Sequence, residues 1–208
     1  VNLLTGYLNA KVYIEEAGFR DDIEWAENLL LMNKTGLTSQ YVLREHAWVV
    51  LNSGFRFQVA AKLWPNIRRA FHGFEPHLVQ AGCATFALQH LNHPGKLNAM
   101  VEMAELVRKD GIEPILKDAE EPLKLCRLPW IGKTTCWHYA KVLGVDVVKP
   151  DVHLRRAAKA TGFQEPVELA QAIKDELGDP LTVVDSVLWR YGEQRAQRGW
   201  PDWKELFG

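Results

Sequence analysis

Two stretches of this chain combine residue types that can do chemistry. In the first, Asp151 follows Lys149-Pro150 and precedes His153, Arg155 and Arg156. A carboxylate directly after proline sits at a helix start, where unpaired N–H groups and the macrodipole keep it ionised. Any Asp there is a good N-terminal residue. Held in water-poor surroundings, the same carboxylate can stabilise positive charge on a reacting carbon, or orient and deprotonate water. The second stretch is Leu128-Pro129-Trp130-Ile131-Gly132-Lys133-Thr134, which joins two segments of helical pattern. Pro129 fixes the approach to a turn, Ile131 anchors it and Gly132 lets the backbone turn closely. Such a turn points successive N–H groups outward and, with the positive end of the next helix, makes a site for one phosphate. It would hold a nucleic-acid backbone without reading sequence.

Other chemistries fail on spacing. Ile131-Gly132-Lys133-Thr134-Thr135 resembles the end of a phosphate loop, yet Arg127 stands where that pattern needs its first glycine, and no apolar strand precedes it. The nucleophile-elbow, zinc-protease and dinucleotide-binding patterns are absent. The three cysteines, Cys83, Cys126 and Cys136, match no disulfide framework, and reduced thiols are expected. Cys83, His90 and His93 could face one another, but no second pair stands at finger spacing, so neither metal nor cofactor is expected.

The net charge of −1 argues against a strong nonspecific polyanion binder. Its distribution says otherwise: from Lys124 to Lys159 eight basic residues face only Asp146 and Asp151. A basic segment on an acidic body directs a polyanion to one face. At 208 residues with 47% apolar content, the chain has room for one compact domain or two lobes. No apolar run is long enough to span a membrane and no basic-then-apolar leader opens the chain, so a cytoplasmic protein is expected.

The apolar positions recur at helical spacing nearly throughout, and no strand signal is convincing. Thr38 or Ser39 caps a helix through Leu51. A second, Arg56 to Phe71, turns Val59, Leu63, Ile67 and Phe71 to one face. Glu75-Pro76 opens a third segment, and Gly95 precedes a fourth, Lys96 to Lys109, closed by Gly111. Pro122 suits the first turn of the segment entering the hairpin. Further helices are expected over Lys133 to Leu143, Asp151 to Ala160 before Gly162, and Pro180 to Arg198.

Leu128-Pro129-Trp130-Ile131-Gly132, followed by Asp151-Val152-His153-Leu154-Arg155-Arg156, resembles the helix-hairpin-helix DNA glycosylases, whose signature pairs such a hairpin with a downstream catalytic aspartate. The runs FHGFEPHLV and WIGKTTCWHYAKVLGV are similar to the 3-methyladenine branch in particular, and the resemblance covers about residues 38–162. It implies an all-α fold of two helical lobes with a DNA-binding cleft between them. One lobe, residues 38–144, carries the helix-hairpin-helix; residues 1–37 plus 145–208 form the other and carry the catalytic Asp.

The departures matter too. Bifunctional members place a lysine two residues after the hairpin glycine; here that residue is Thr134, and Lys133 comes one place early. One residue turns a helical side chain by about 100°, so a monofunctional enzyme is expected. The terminal cysteines of the zinc clasp found in 3-methyladenine enzymes are missing. Where many members have a gap-filling glutamine, this chain has Ser53-Gly54-Phe55-Arg56-Phe57.

The resemblance therefore implies a monomer that binds double-stranded DNA, flips a damaged or modified base and hydrolyses its N-glycosidic bond. Asp151 is the catalytic residue, Arg155 and Arg156 with Lys133 contact phosphates, and Phe55 is the first wedge candidate. Asn92 or His93 would enter from the opposite side. Trp48, Phe57, Trp130, Trp137 and Tyr139 are the pool for stacking on the flipped base, although most of the eight tryptophans are expected in the core. The resemblance favours an alkylated purine as the base, and the altered Gly54-Phe55-Arg56 region permits an oxidised or a bulky, hypermodified one. Alternatives are a bifunctional enzyme using Lys133, a noncatalytic helix-hairpin-helix module, and a helical scaffold that never meets DNA.

Overall fold

The computed structural model describes residues 2–208, the side chains of residues 33–35 apart. Among the described residues every regular element is helical. In chain order these are α1 (Leu3–Glu16), α2 (Arg20–Thr35), α3 (Ser39–Asn52), α4 (Phe57–Ala70), α5 (Ala81–Ala87), α6 (Pro94–Asp110), α7 (Glu113–Ala119), α8 (Thr135–Val142), α9 (Val152–Thr161), α10 (Pro166–Leu177), α11 (Leu181–Arg198) and α12 (Trp203–Phe207). Short 3-10 helices cover His72–Phe74 and Pro122–Arg127. None of these helices is long and apolar enough to cross a membrane. The chain divides into two compact units, Val1–Lys34 with Gly144–Gly208, and Thr35–Leu143.

In the unit Thr35–Leu143, α3 is the central helix and packs on α4, α6 and α8. Thr38 caps it, its hydroxyl accepting the Tyr41 N–H at 3.1 Å. Val42, Leu43, Ala47, Val50 and Leu51 are buried along α3, as are Leu97, Met100 and Met103 on α6, the helix that packs against it. Each such side chain stabilises the fold by roughly 1.5–3 kcal/mol. On α4, Ile67 and the following Phe71 are buried as their spacing predicts, but Val59 is exposed: the core-facing stripe begins one residue later, at Ala60. The helix expected from Lys96 starts earlier, at Pro94, with His93 as its cap, so Gly95 lies inside the first turn.

The unit formed by the two ends of the chain is built on α11, which carries buried residues from Thr182 to Gln194 and packs against α1, α9 and α10. Tyr13, Tyr191, Trp200, Trp203 and Phe207 form an aromatic cluster there, with successive centroids 5.1–6.2 Å apart. Two glycines permit close approach. A Cβ on Gly6 would lie 2.3 Å from Phe207, and one on Gly192 would lie 2.8 Å from the His153 side chain. Gly162 closes α9 in the left-handed conformation at φ 85°.

Candidate functional site

Asp151 is the N-cap of α9. Its Oδ1 accepts the N–H groups of His153 at 2.9 Å and Leu154 at 3.2 Å, which occupies one carboxylate oxygen with the helix start. The other, Oδ2, lies 3.8 Å from the Lys149 ammonium, and the side chain is only 12% exposed. The segment before it is pinned to α11 by two carboxylates. Asp146 accepts the Thr182 N–H at 2.9 Å and the Lys174 ammonium at 2.6 Å; buried Asp185 accepts the Lys149 N–H at 2.7 Å. The carboxylate is thereby fixed in place by its own helix and by the loop that leads to it.

Beside it, His153 is half-buried against Gly192, and burial pushes its imidazole below the usual range. A neutral ring wedged against a helix is a packing residue. Arg155 donates from Nε to the Pro150 carbonyl at 3.1 Å and faces Glu165 at 3.7 Å, so it also helps hold the loop. Arg156 is exposed on the first turns of α9.

The hairpin is anchored as its sequence predicts: Leu128 and Ile131 are buried, and the Ile131 N–H donates to the Leu128 carbonyl at 3.2 Å. Its turn differs in two ways. The left-handed residue is Trp130, at φ 62°, and Gly132 does not adopt positive φ. A non-glycine residue held there costs about 1–2 kcal/mol. The Gly132 N–H also points inward, donating to Thr135 Oγ1 at 2.8 Å, so it takes no part in the expected outward row of N–H groups. Lys133 and Thr134 stand exposed ahead of α8, which starts at Thr135 and not at Lys133. A Cβ on Gly132 would meet only Thr135 Oγ1, at 3.9 Å. Nothing among the described residues calls for glycine there; its missing side chain leaves the outer surface open.

Trp130 is 45% exposed and leans on the loop before α6. Its ring stands edge-on to His93, centroids 5.2 Å apart, and fills the space a Cβ on Gly95 would need. Exposed Asn92 completes that loop. Two of the wedge candidates, Asn92 and His93, therefore belong to a surface continuous with the hairpin. Phe55, the third, is half-buried over Lys96, whose ammonium lies 4.3 Å from the ring centroid.

Of the stacking candidates, Trp48 and Phe57 meet edge-on at 5.9 Å, and Trp48 also meets Trp64 at 5.3 Å. Trp137 is half-buried on α8. Tyr139 belongs to the core instead: it is fully buried, and its hydroxyl donates to the Val42 carbonyl at 2.9 Å, leaving no face for a base.

The basic segment is also less free than its composition suggests. Lys124 pairs with Glu121 at 2.5 Å, Arg127 with Asp118 at 2.6 Å, and Lys141 is buried. Two residues unanticipated from the sequence support this unit. Fully buried His46 donates from Nε2 to the Pro129 carbonyl at 2.8 Å, and Lys96 donates to the carbonyls of Leu51, at 2.9 Å, and Ser53. Cys83 serves its own helix, its thiol facing the Leu78 carbonyl at 3.5 Å. Among the described residues no group of three His, Cys, Asp or Glu side chains is placed to hold a metal ion.

Neither a protein-family model nor a curated protein matches this sequence. The fold does have a counterpart among solved structures. The 8-oxoguanine DNA glycosylase of Thermotoga maritima superposes with a TM-score of 0.65 at 19% identity, over 94% of this chain and 97% of the other. At that identity the likeness establishes the helical fold.

Proposed function

We propose that this protein is a monofunctional DNA glycosylase: it binds duplex DNA, turns a damaged or modified base out of the stack and hydrolyses its N-glycosidic bond. The reading is carried by Asp151, a carboxylate with one oxygen committed to the start of α9 and the other turned toward Lys149, on a fold similar to that of a DNA glycosylase.

Breaking the bond between C1′ and the base nitrogen leaves the bonding electrons on the base and positive charge on the sugar. A fixed carboxylate stabilises that charge; as water adds to C1′, Asp151 accepts its proton and an abasic site remains. Because Oδ1 is occupied by two backbone N–H groups, Oδ2 is the oxygen assigned to this work. Opening the duplex requires a few kcal/mol and a side chain to fill the gap. Phe55, Asn92 and His93 are the candidates, with Trp48 and Phe57 as the first stacking partners for the displaced base. The hairpin, with Lys133 and Thr134 exposed before α8, takes a phosphate, and Arg156 a second.

Thr134 stands where a lyase lysine would be, which supports hydrolysis without strand cleavage. The motif resemblance favours an alkylated purine, and the altered Gly54-Phe55-Arg56 region permits an oxidised or a bulky modified base; the T. maritima protein is named for 8-oxoguanine, which supports the oxidised purine among these.

The test is incubation of the protein and Asp151→Asn with duplexes carrying 3-methyladenine, 8-oxoguanine or a hypermodified pyrimidine, scoring abasic sites with and without alkali. Alkali-dependent breaks made by the parent alone support the reading. Breaks without alkali would assign a lyase role to Lys133, and salt-sensitive binding without product would leave a noncatalytic DNA-binding module.

A further inference from the structure

Lys96 occupies a place where a lysine is costly. It lies in the first turn of α6, where the macrodipole disfavours a cation, and it is 3% exposed. The groups its ammonium meets are neutral: the carbonyls of Leu51 and Ser53 and the face of Phe55, 4.3 Å from the ammonium. Burial pushes the ammonium down to about 8. A leucine or methionine would fill an apolar site without that desolvation, so the ammonium is retained for what it holds.

What it holds is the turn between α3 and α4. Leu51 is in the last turn of α3, whose terminal carbonyls have no partner inside the helix. Ser53 is the C-cap, and Gly54 follows at φ 75°. Phe55 rests on the same ammonium, so one side chain satisfies the helix end and seats the aromatic at the tip of the turn. Lys96 belongs also to the helix that opens with His93-Pro94-Gly95, and Gly95 abuts Trp130 of the hairpin. The Phe55 turn, the Asn92–His93 loop and the hairpin are thereby joined through one buried cation and one aromatic contact.

We propose that Lys96 is the positioning residue of the DNA-opening wedge, holding Phe55 so that it enters the base stack as the hairpin takes the backbone. The proposal rests on the reading of the protein as a DNA-opening enzyme, but its test does not need excision. A gap is filled well only by a side chain whose geometry is set before binding, since the cost of ordering it would fall on the opened state and leave the base stacked in the bound duplex.

The experiment uses a duplex with 2-aminopurine opposite thymine, whose fluorescence rises when the base unstacks. The parent raises the signal on binding. Lys96→Met is expected to bind the duplex within threefold of the parent and to lose about tenfold of the unstacking, whereas Lys96→Arg, which keeps charge and donors, restores it to within threefold. Phe55→Ala, at a half-buried position, is expected to reproduce the Met phenotype, and the double variant to be no worse than either single one. Retained duplex binding, rescue by Lys96→Arg and the matching loss in Phe55→Ala separate positioning from general destabilisation. Equal unstacking by parent, Lys96→Met and Phe55→Ala would overturn the proposal. So would additive losses in the double variant, or a parent that binds without unstacking. A parent that unstacks but yields no abasic site with any base would sink the glycosylase reading and leave Lys96 in its assigned role.

Discussion

The Nε2 of His46 lies 2.8 Å from the carbonyl oxygen of Pro129, so a fully buried imidazole on α3 holds the hairpin from beneath. To donate to a carbonyl the ring must carry its proton on Nε2, and Nδ1 is then a buried acceptor without a partner among the described residues. Burial pushes the ring down to about 4.

This pair sets a pH dependence with a definite sign. The unfolded chain binds a proton at His46 below about 6.5, the folded protein only near 4. Between those values the unfolded state binds more protons, so stability is lost as pH falls, by about 3 kcal/mol across the window. Glu45 beside it, raised by burial, acts in the opposite sense. His46→Gln keeps a donor for Pro129 without titrating. Urea midpoints measured from pH 7 to pH 4 should show a shallower fall for that variant. An unchanged profile would mean that His46 is not the group responsible.

Gly95 and Trp130 provide a test of the brace between the hairpin and the loop before α6. A Cβ at Gly95 would stand 2.7 Å from the Trp130 ring, and that residue is already in the left-handed region. Gly95→Ala should destabilise by about 1–3 kcal/mol, as overpacking does. Adding Trp130→Gly removes both the clash and the backbone strain, and should recover most of the loss. Thermal melts of the two singles and the double decide it: a double variant as unstable as the sum of the singles would show that the two residues act separately.

Asp151 allows capping to be separated from chemistry. Asn caps a helix about as well as Asp, whereas Ala costs about 1 kcal/mol. Asp151→Asn should therefore melt within about 1 kcal/mol of the parent and Asp151→Ala should be measurably less stable. Both should lower turnover by about a hundredfold or more, because neither carries the charge. Turnover that tracked stability across the two variants would reduce Asp151 to a capping residue.

The sequence makes the helices legible because their punctuation is local. Thr38, Gly95, Gly111, Gly162 and Pro180 all stand within a residue or two of the observed boundaries. The Asp151 run and the Leu128–Thr134 stretch likewise form a capped helix start and an anchored hairpin. What local pattern does not carry is the side-chain environment. Tyr139 reads as an aromatic beside a hairpin, yet three-dimensional packing puts it in the core. Lys96 falls on the same helical stripe as Met100, Met103 and Val107, a spacing that places it against the core. The signal was present, but lysine at an apolar position usually escapes to solvent by bending its stem. The conformation of Trp130 had no signal at all: left-handed backbone at a non-glycine residue is imposed by the contacts around it.

The hairpin glycine gives the last test. Gly132 is exposed, lies outside the left-handed region and has room for a methyl group, its nearest neighbour being Thr135 Oγ1 at 3.9 Å. Replacing it with alanine should therefore leave the unfolding midpoint unchanged or slightly raised, because the unfolded chain loses conformational freedom. The same methyl group would stand between the hairpin and a phosphate that approaches its backbone, weakening DNA binding by about tenfold. Lys133→Ala should weaken it through charge instead, with a smaller salt dependence as its signature. Titrating labelled duplex at two salt concentrations separates the two variants. If Gly132→Ala bound DNA as tightly as the parent, the phosphate would have to be held elsewhere on the protein, and the hairpin would be only a connection between helices.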